Sequence, residues 1–161
     1  MTTLTQLKKL AKDGFIPFMK ENGFEIFHTF TFVKKGKEEI FFVIYPEISH
    51  GGNLRITAVC HTDEMQELFS PEFPKYISRM VGGYLEPGED IAYENRHIWK
   101  IDTEEMATEA LKEIKSCLEE SAFSFFDSIT NRQKLVDFIY PSMMVDDYKR
   151  VADKILEWKP N

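Results

Sequence analysis

Four histidines and two cysteines hold the side chains best able to ligate a metal or attack a carbonyl in this 161-residue chain. Zinc sites made from such residues usually show one close pair of ligands, two to four residues apart. His28, His50, His61 and His97 each stand alone in sequence. Strands could bring His28, His61 and His97 together, with Tyr45 or Tyr84 beside them, but the pattern does not demand it. Cys60 directly precedes His61 in the run Cys60-His61-Thr62-Asp63, which invites a thiol nucleophile with an imidazole base. Adjacent strand residues point to opposite faces, so these two should not meet. Cys60 instead shares its alternation with Leu54, Ile56 and Ala58 and reads as a small core residue. Cys117 lies far off and completes no paired-cysteine motif, which points to a reducing compartment.

Other chemistries leave weaker traces. Glu113-Ile114-Lys115 has the acid-x-lysine spacing of metal-dependent nucleases. It falls in a predicted helix, where the two side chains project about 200° apart, so a solvated face is the better reading. Gly51-Gly52 and Gly82-Gly83 are isolated pairs, without the phosphate-cradling GxGxxG or GxxxxGK[ST] patterns. GxSxG and HExxH are absent as well, and no cofactor is expected.

Charge is the stronger signal. The chain carries a formal −7, which argues against nucleic acid as a general partner, because phosphates need a basic footprint. Residues 1–40 hold seven lysines and five acids, whereas residues 86–120 hold eleven acids and four bases. That window alone equals the excess of the whole chain and should dominate any electrostatic steering. Glu86, Glu89, Asp90 and Glu94 on a loop, then Glu105 and Glu109 on a helix, are the candidate contacts for a basic protein partner. Eight of the fourteen phenylalanines lie between Phe15 and Phe42. Stacking platforms for single strands need lysine and arginine around them, so these rings read as core, with some left for an exposed apolar patch.

The elements that must position these residues follow from periodicity. Leu4, Leu7, Ala11, Phe15 and Phe18 recur at helical spacing over residues 2–21, with Asn22-Gly23 as the stop and Pro17 as a point of bending or breakage near Phe15. Residues 24–33 alternate as a strand, Lys34-Lys35-Gly36-Lys37 turns, and residues 39–45 return. After the turn at His50-Gly51-Gly52-Asn53, residues 54–61 alternate again, giving an antiparallel meander. Residues 62–74 allow one helical turn around Glu64–Phe69 before Pro71 and Pro74, and residues 93–101 read as a further strand. Thr103 caps a helix whose stripe is Ala107, Ala110, Leu111, Ile114, Cys117 and Leu118, with a break at Ser121. Thr130-Asn131-Arg132-Gln133 fits a capping box for a short helix through Ile139. Pro141 ends it, and Ser142 caps a last helix buried through Met144, Tyr148, Val151, Ile155 and Trp158.

Strands segregated from helices predict an α+β fold: a single antiparallel sheet of about four to five strands flanked by an N-terminal helix and C-terminal helices, one domain over residues 1–161. The longest apolar run, residues 40–45, is too short to span a bilayer, so a soluble, cytoplasmic protein without a membrane partner is expected. Asn22-Gly23-Phe24 after an amphipathic helix, the phenylalanine-rich strands, Trp99-Lys100-Ile101-Asp102 opening a long helix, and Phe125-Phe126-Asp127 behind it resemble bacterial domain-of-unknown-function families of small α+β proteins. The resemblance covers residues 4–130, with Pro17 and residues 62–74 as departures. It implies a non-enzymatic, immunity-like binder of a toxin-like protein and brings no catalytic residues with it. The rival expectation is a small enzyme or ligand-binding domain with a histidine-containing pocket on the sheet face.

Overall fold

The computed structural model describes residues 2–49, 51–69, 75–76, 81–139 and 146–161. The chain opens with two short helices, α1 (Leu4–Leu10) and α2 (Phe15–Glu21). Thr3 and Gln6 close a reciprocal capping box on α1. The single predicted helix is thus two, broken at residues 11–14. Pro17 causes no fault, because it sits in the first turn of α2, where backbone N–H groups have no intrahelical acceptor.

Four strands follow as a meander: β1 (Glu25–His28), β2 (Thr31–Lys35), β3 (Phe41–Ser49) and β4 (Asn53–His61). The continuous strand expected over residues 24–33 is a tight hairpin instead, turning at Thr29 and Phe30. Past α3 (Asp63–Phe69), β5 (Val81–Tyr84) and β6 (Trp99–Lys100) both pair with β4, so among the described residues the sheet is antiparallel with six strands. Of the strand expected over residues 93–101, only Trp99 and Lys100 pair, against Leu54 and Asn53. Gly82 lets β5 approach: its φ is +135°, and a Cβ there would sit 2.1 Å from the Ala58 carbonyl oxygen.

The remaining helices are α4 (Glu104–Cys117), α5 (Phe123–Ser128), α6 (Arg132–Asp137) and α7 (Asp146–Leu156). Thr103 caps α4 through the Met106 N–H. The break expected at Ser121 is a π-helical turn, Leu118–Ala122, joining α4 to α5. Ser121 Oγ donates to the Cys117 carbonyl there at 2.9 Å, a local competition that widens a helix. The cap of α6 is Asn131, one residue later than expected, with its side chain accepting the Lys134 N–H. Pro141, Ser142 and Met144 lie outside the described residues.

The helices pack their apolar stripes on one sheet face, against Phe32, Phe42, Ile44, Leu54, Ile56, Ala58 and Cys60. Much of the phenylalanine surplus packs there: Phe15 stacks on Phe30, Phe30 meets Phe32 edge-on, and Phe42 stacks on Phe126, whereas Phe27 stays exposed. Alternation sends Val43, Tyr45 and Val59 to the opposite face, with Phe41 and Tyr76.

A buried ion pair joins α6 to α3, and its arginine reaches on to the β2–β3 connection. Arg132 is buried and its guanidinium sits 2.9 Å from Glu64 Oε1. It also donates to the carbonyls of Glu38 and Ile155 and stacks on Trp158. Glu38 and Glu39 both adopt φ of +56° in the β2–β3 connection. Such conformations are unfavourable for residues with a Cβ and persist when surrounding contacts hold them. Here the contacts are the Arg132 bonds to Glu38 and the Trp158 indole N–H donated to Glu39.

Candidate functional site

The three histidines among the described residues do not converge. His28 is exposed on β1, and two strands separate β1 from β4, which ends in His61. Three strand spacings amount to about 14 Å. His97 lies just before β6, which pairs with the start of β4, whereas His61 closes that strand roughly 23 Å further along at 3.3 Å per residue. His50 lies outside the described residues. Among the described residues no group of three His, Cys, Asp or Glu side chains could hold a metal ion.

The thiols are unsuited to attack. Burial pushes the Cys60 thiol pKa far above its ordinary range. Cys117 is pushed up to about 11, first by burial and then by the Glu113 and Glu120 carboxylates. Cys60 lies in the main core while His61 packs beside the Tyr76 ring on the opposite face, as strand alternation requires. Tyr45 and Tyr84 flank Thr57 in one row across β3, β4 and β5. Thr57 lines only a small slot there, with Val59, Gly83, Tyr84 and Tyr93.

The acidic candidates form a more coherent arrangement. Glu89, Asp90, Glu94, Glu105 and Glu109 are exposed, and Glu86 is half-buried. The loop of residues 85–98 is built rather than slack. Buried Asn95 donates from Nδ2 to the carbonyls of Tyr84 and Asp90, at 2.8 and 2.9 Å. The Asn95 carbonyl accepts from Arg55 Nη2, and Arg55 in turn stacks 3.5 Å over the Tyr84 ring. Glu86 Oε1 accepts the Arg96 backbone N–H at 3.2 Å, closing the loop on itself. One residue on, His97 Nε2 lies 3.6 Å from Glu113 Oε1 on α4. These contacts order the loop and set its end, at His97, against α4.

On α4, Glu105, Glu109 and Glu113 recur every four residues and share one side of the helix. They border an open groove of about 400 Å³ between α4 and β6, lined also by Trp99, Lys100, Met106 and Ala110. Like charges four apart on a helix repel by a few tenths of a kcal/mol per pair, and Lys112 offsets part of this by pairing with Glu109 at 3.1 Å. Glu113, Trp99 and Met106 were missed as site members by sequence reasoning. Glu113 showed only as a solvated helix face, and nothing local tells that a two-residue strand will lie beside it.

No family model, curated protein or solved structure matches this chain. No described helix is long and apolar enough to cross a membrane.

Proposed function

We propose that this protein is a binding module that takes a basic protein partner on its acidic band, in the immunity-like manner the sequence resemblance implies. The observation that supports the reading is continuity. An ordered loop with exposed carboxylates is held by Asn95, and the contact of His97 with Glu113 ties its end to the acidic side of α4. Such a surface accelerates encounter with a cationic partner and disfavours acidic ones. A fixed loop adds to this, because the charges are ordered before the partner arrives and less freedom is lost on docking.

The test compares wild-type protein with a six-site charge reversal: Glu86→Lys, Glu89→Lys, Asp90→Lys, Glu94→Lys, Glu105→Lys and Glu109→Lys. Each is used to capture partners from cells that make the protein, followed by kinetics on the purified partner. The expected partner is basic, and its association rate falls on the order of tenfold or more on reversal. Its salt dependence flattens in the variant. A partner that binds both proteins with the same rate and the same salt dependence overturns the proposal.

A further inference from the structure

We infer that the groove between β6 and α4 takes an extended segment of the partner in which basic residues alternate with others. This rests on the reading of the acidic band as a docking surface and specifies its occupant.

Spacing comes first. Glu105, Glu109 and Glu113 border the groove, and four helical residues advance about 6 Å along an axis. An extended chain repeats its side chains on one face every 6.4–6.8 Å or so. Three alternate lysines or arginines on such a chain therefore fall opposite three carboxylates with little accumulated error.

The floor supplies an independent observation. Trp99 lines the groove and is only 5% exposed, yet its indole Nε1 is buried without a hydrogen-bond partner among the described residues. A buried donor without an acceptor is a local penalty, and it is removed when an acceptor arrives. A polypeptide carries such acceptors in every carbonyl, whereas a metal ion or a simple polyamine offers none. Met106, in the same lining, is 37% exposed and unbranched, so it can adapt to a chain laid in the groove.

Two ten-residue peptides of the same composition test this. One alternates lysine with threonine, and the other has its five lysines in a block. Isotope-labelled wild-type protein is titrated with each at low salt, reading its two indole N–H signals, from Trp99 and Trp158. The expected result is a shift of the Trp99 indole signal alone and binding about tenfold tighter for the alternating peptide. Glu105→Lys/Glu109→Lys/Glu113→Lys, at three exposed positions, should abolish both effects.

Equal affinity for the two peptides, movement of Trp158 instead of Trp99, or no shift at millimolar peptide overturns the groove. So does tighter binding by a helical peptide with lysines four residues apart. If the groove fails while reversal of Glu86, Glu89, Asp90 and Glu94 still releases the captured partner, the acidic band stands and only its occupant falls. If the alternating peptide moves Trp99 while the captured partner ignores every reversal, the groove stands and the proposed function falls.

Discussion

Acidification should destabilise this protein through His61, and replacing that residue measures how much. His61 is completely buried at the end of β4, beside the edge-on ring of Tyr76, with neither ring nitrogen hydrogen-bonded among the described residues. Burial lowers its pKa from the usual 6.5 to about 4; the nearby Lys75 charge lowers it further, and Glu64 opposes both. In the unfolded chain His61 gains its proton as pH falls through about 6.5, while the folded protein refuses it until about 4. The unfolded state therefore binds more protons throughout that interval. Stability is complete above pH 6.5 and drains away as pH falls towards 4.

At 1.36 kcal/mol per pH unit, a displacement of this size removes about 3 kcal/mol. For a chain of this length that corresponds to a fall in Tm of roughly 6–12 °C. Urea unfolding of wild type and His61→Gln at pH 7, 6, 5 and 4.5, followed by circular dichroism, isolates the effect. Every other titrating group is common to both proteins. The variant is expected to start less stable at pH 7, because it puts an amide in an apolar site, and to lose less on acidification. Parallel stability curves, within about 0.5 kcal/mol, would refute the reasoning. So would a His61 ring signal that titrates near pH 6.5 in the folded protein. His61→Leu provides a second non-titrating variant should the amide prevent folding.

Two further outcomes follow from buried polar groups. Arg132→Met strands Glu64 beside the core and releases the strained Glu38 and Glu39 turn, so about 3–5 kcal/mol of stability should be lost in urea unfolding. The double variant Arg132→Met/Glu64→Leu should recover part of that loss, and a strictly additive double variant would deny the pair any coupling. Asn95→Ala leaves the carbonyls of Tyr84 and Asp90 without their donor, at a cost of about 2 kcal/mol. Limited proteolysis should then cut within residues 86–97 faster than in wild type, and the captured partner should associate more slowly even though no carboxylate has been touched.

The long helix α4 and the order of the elements were legible because their causes are local. Thr103 caps through a donor three residues away. The stripe from Ala107 to Leu118 needs only helical periodicity to define a buried face. The alternation of Leu54 to His61 set both faces of β4 in the same way, and kept Cys60 from His61. The hairpin at Thr29 and Phe30 was hidden because neither residue is a habitual turn former, and Phe30 keeps the period of the strand it interrupts. Residues 93–101 were overread as a strand because their register depends on the partner edge of β4, which β5 already occupies from Thr57 to Cys60.

The amino-acid sequence by itself determined where negative charge accumulates, which faces are apolar, and that helices gather on one side of an antiparallel sheet. Those properties depend on residues a few positions apart. Tertiary structure alone decided that Arg132 would be buried against Glu64, that His61 would be buried beside Tyr76, and that Trp99 and Glu113 would share a groove. Each of these joins residues from separate elements. Their meeting depends on how whole layers pack, and no short window of sequence encodes that.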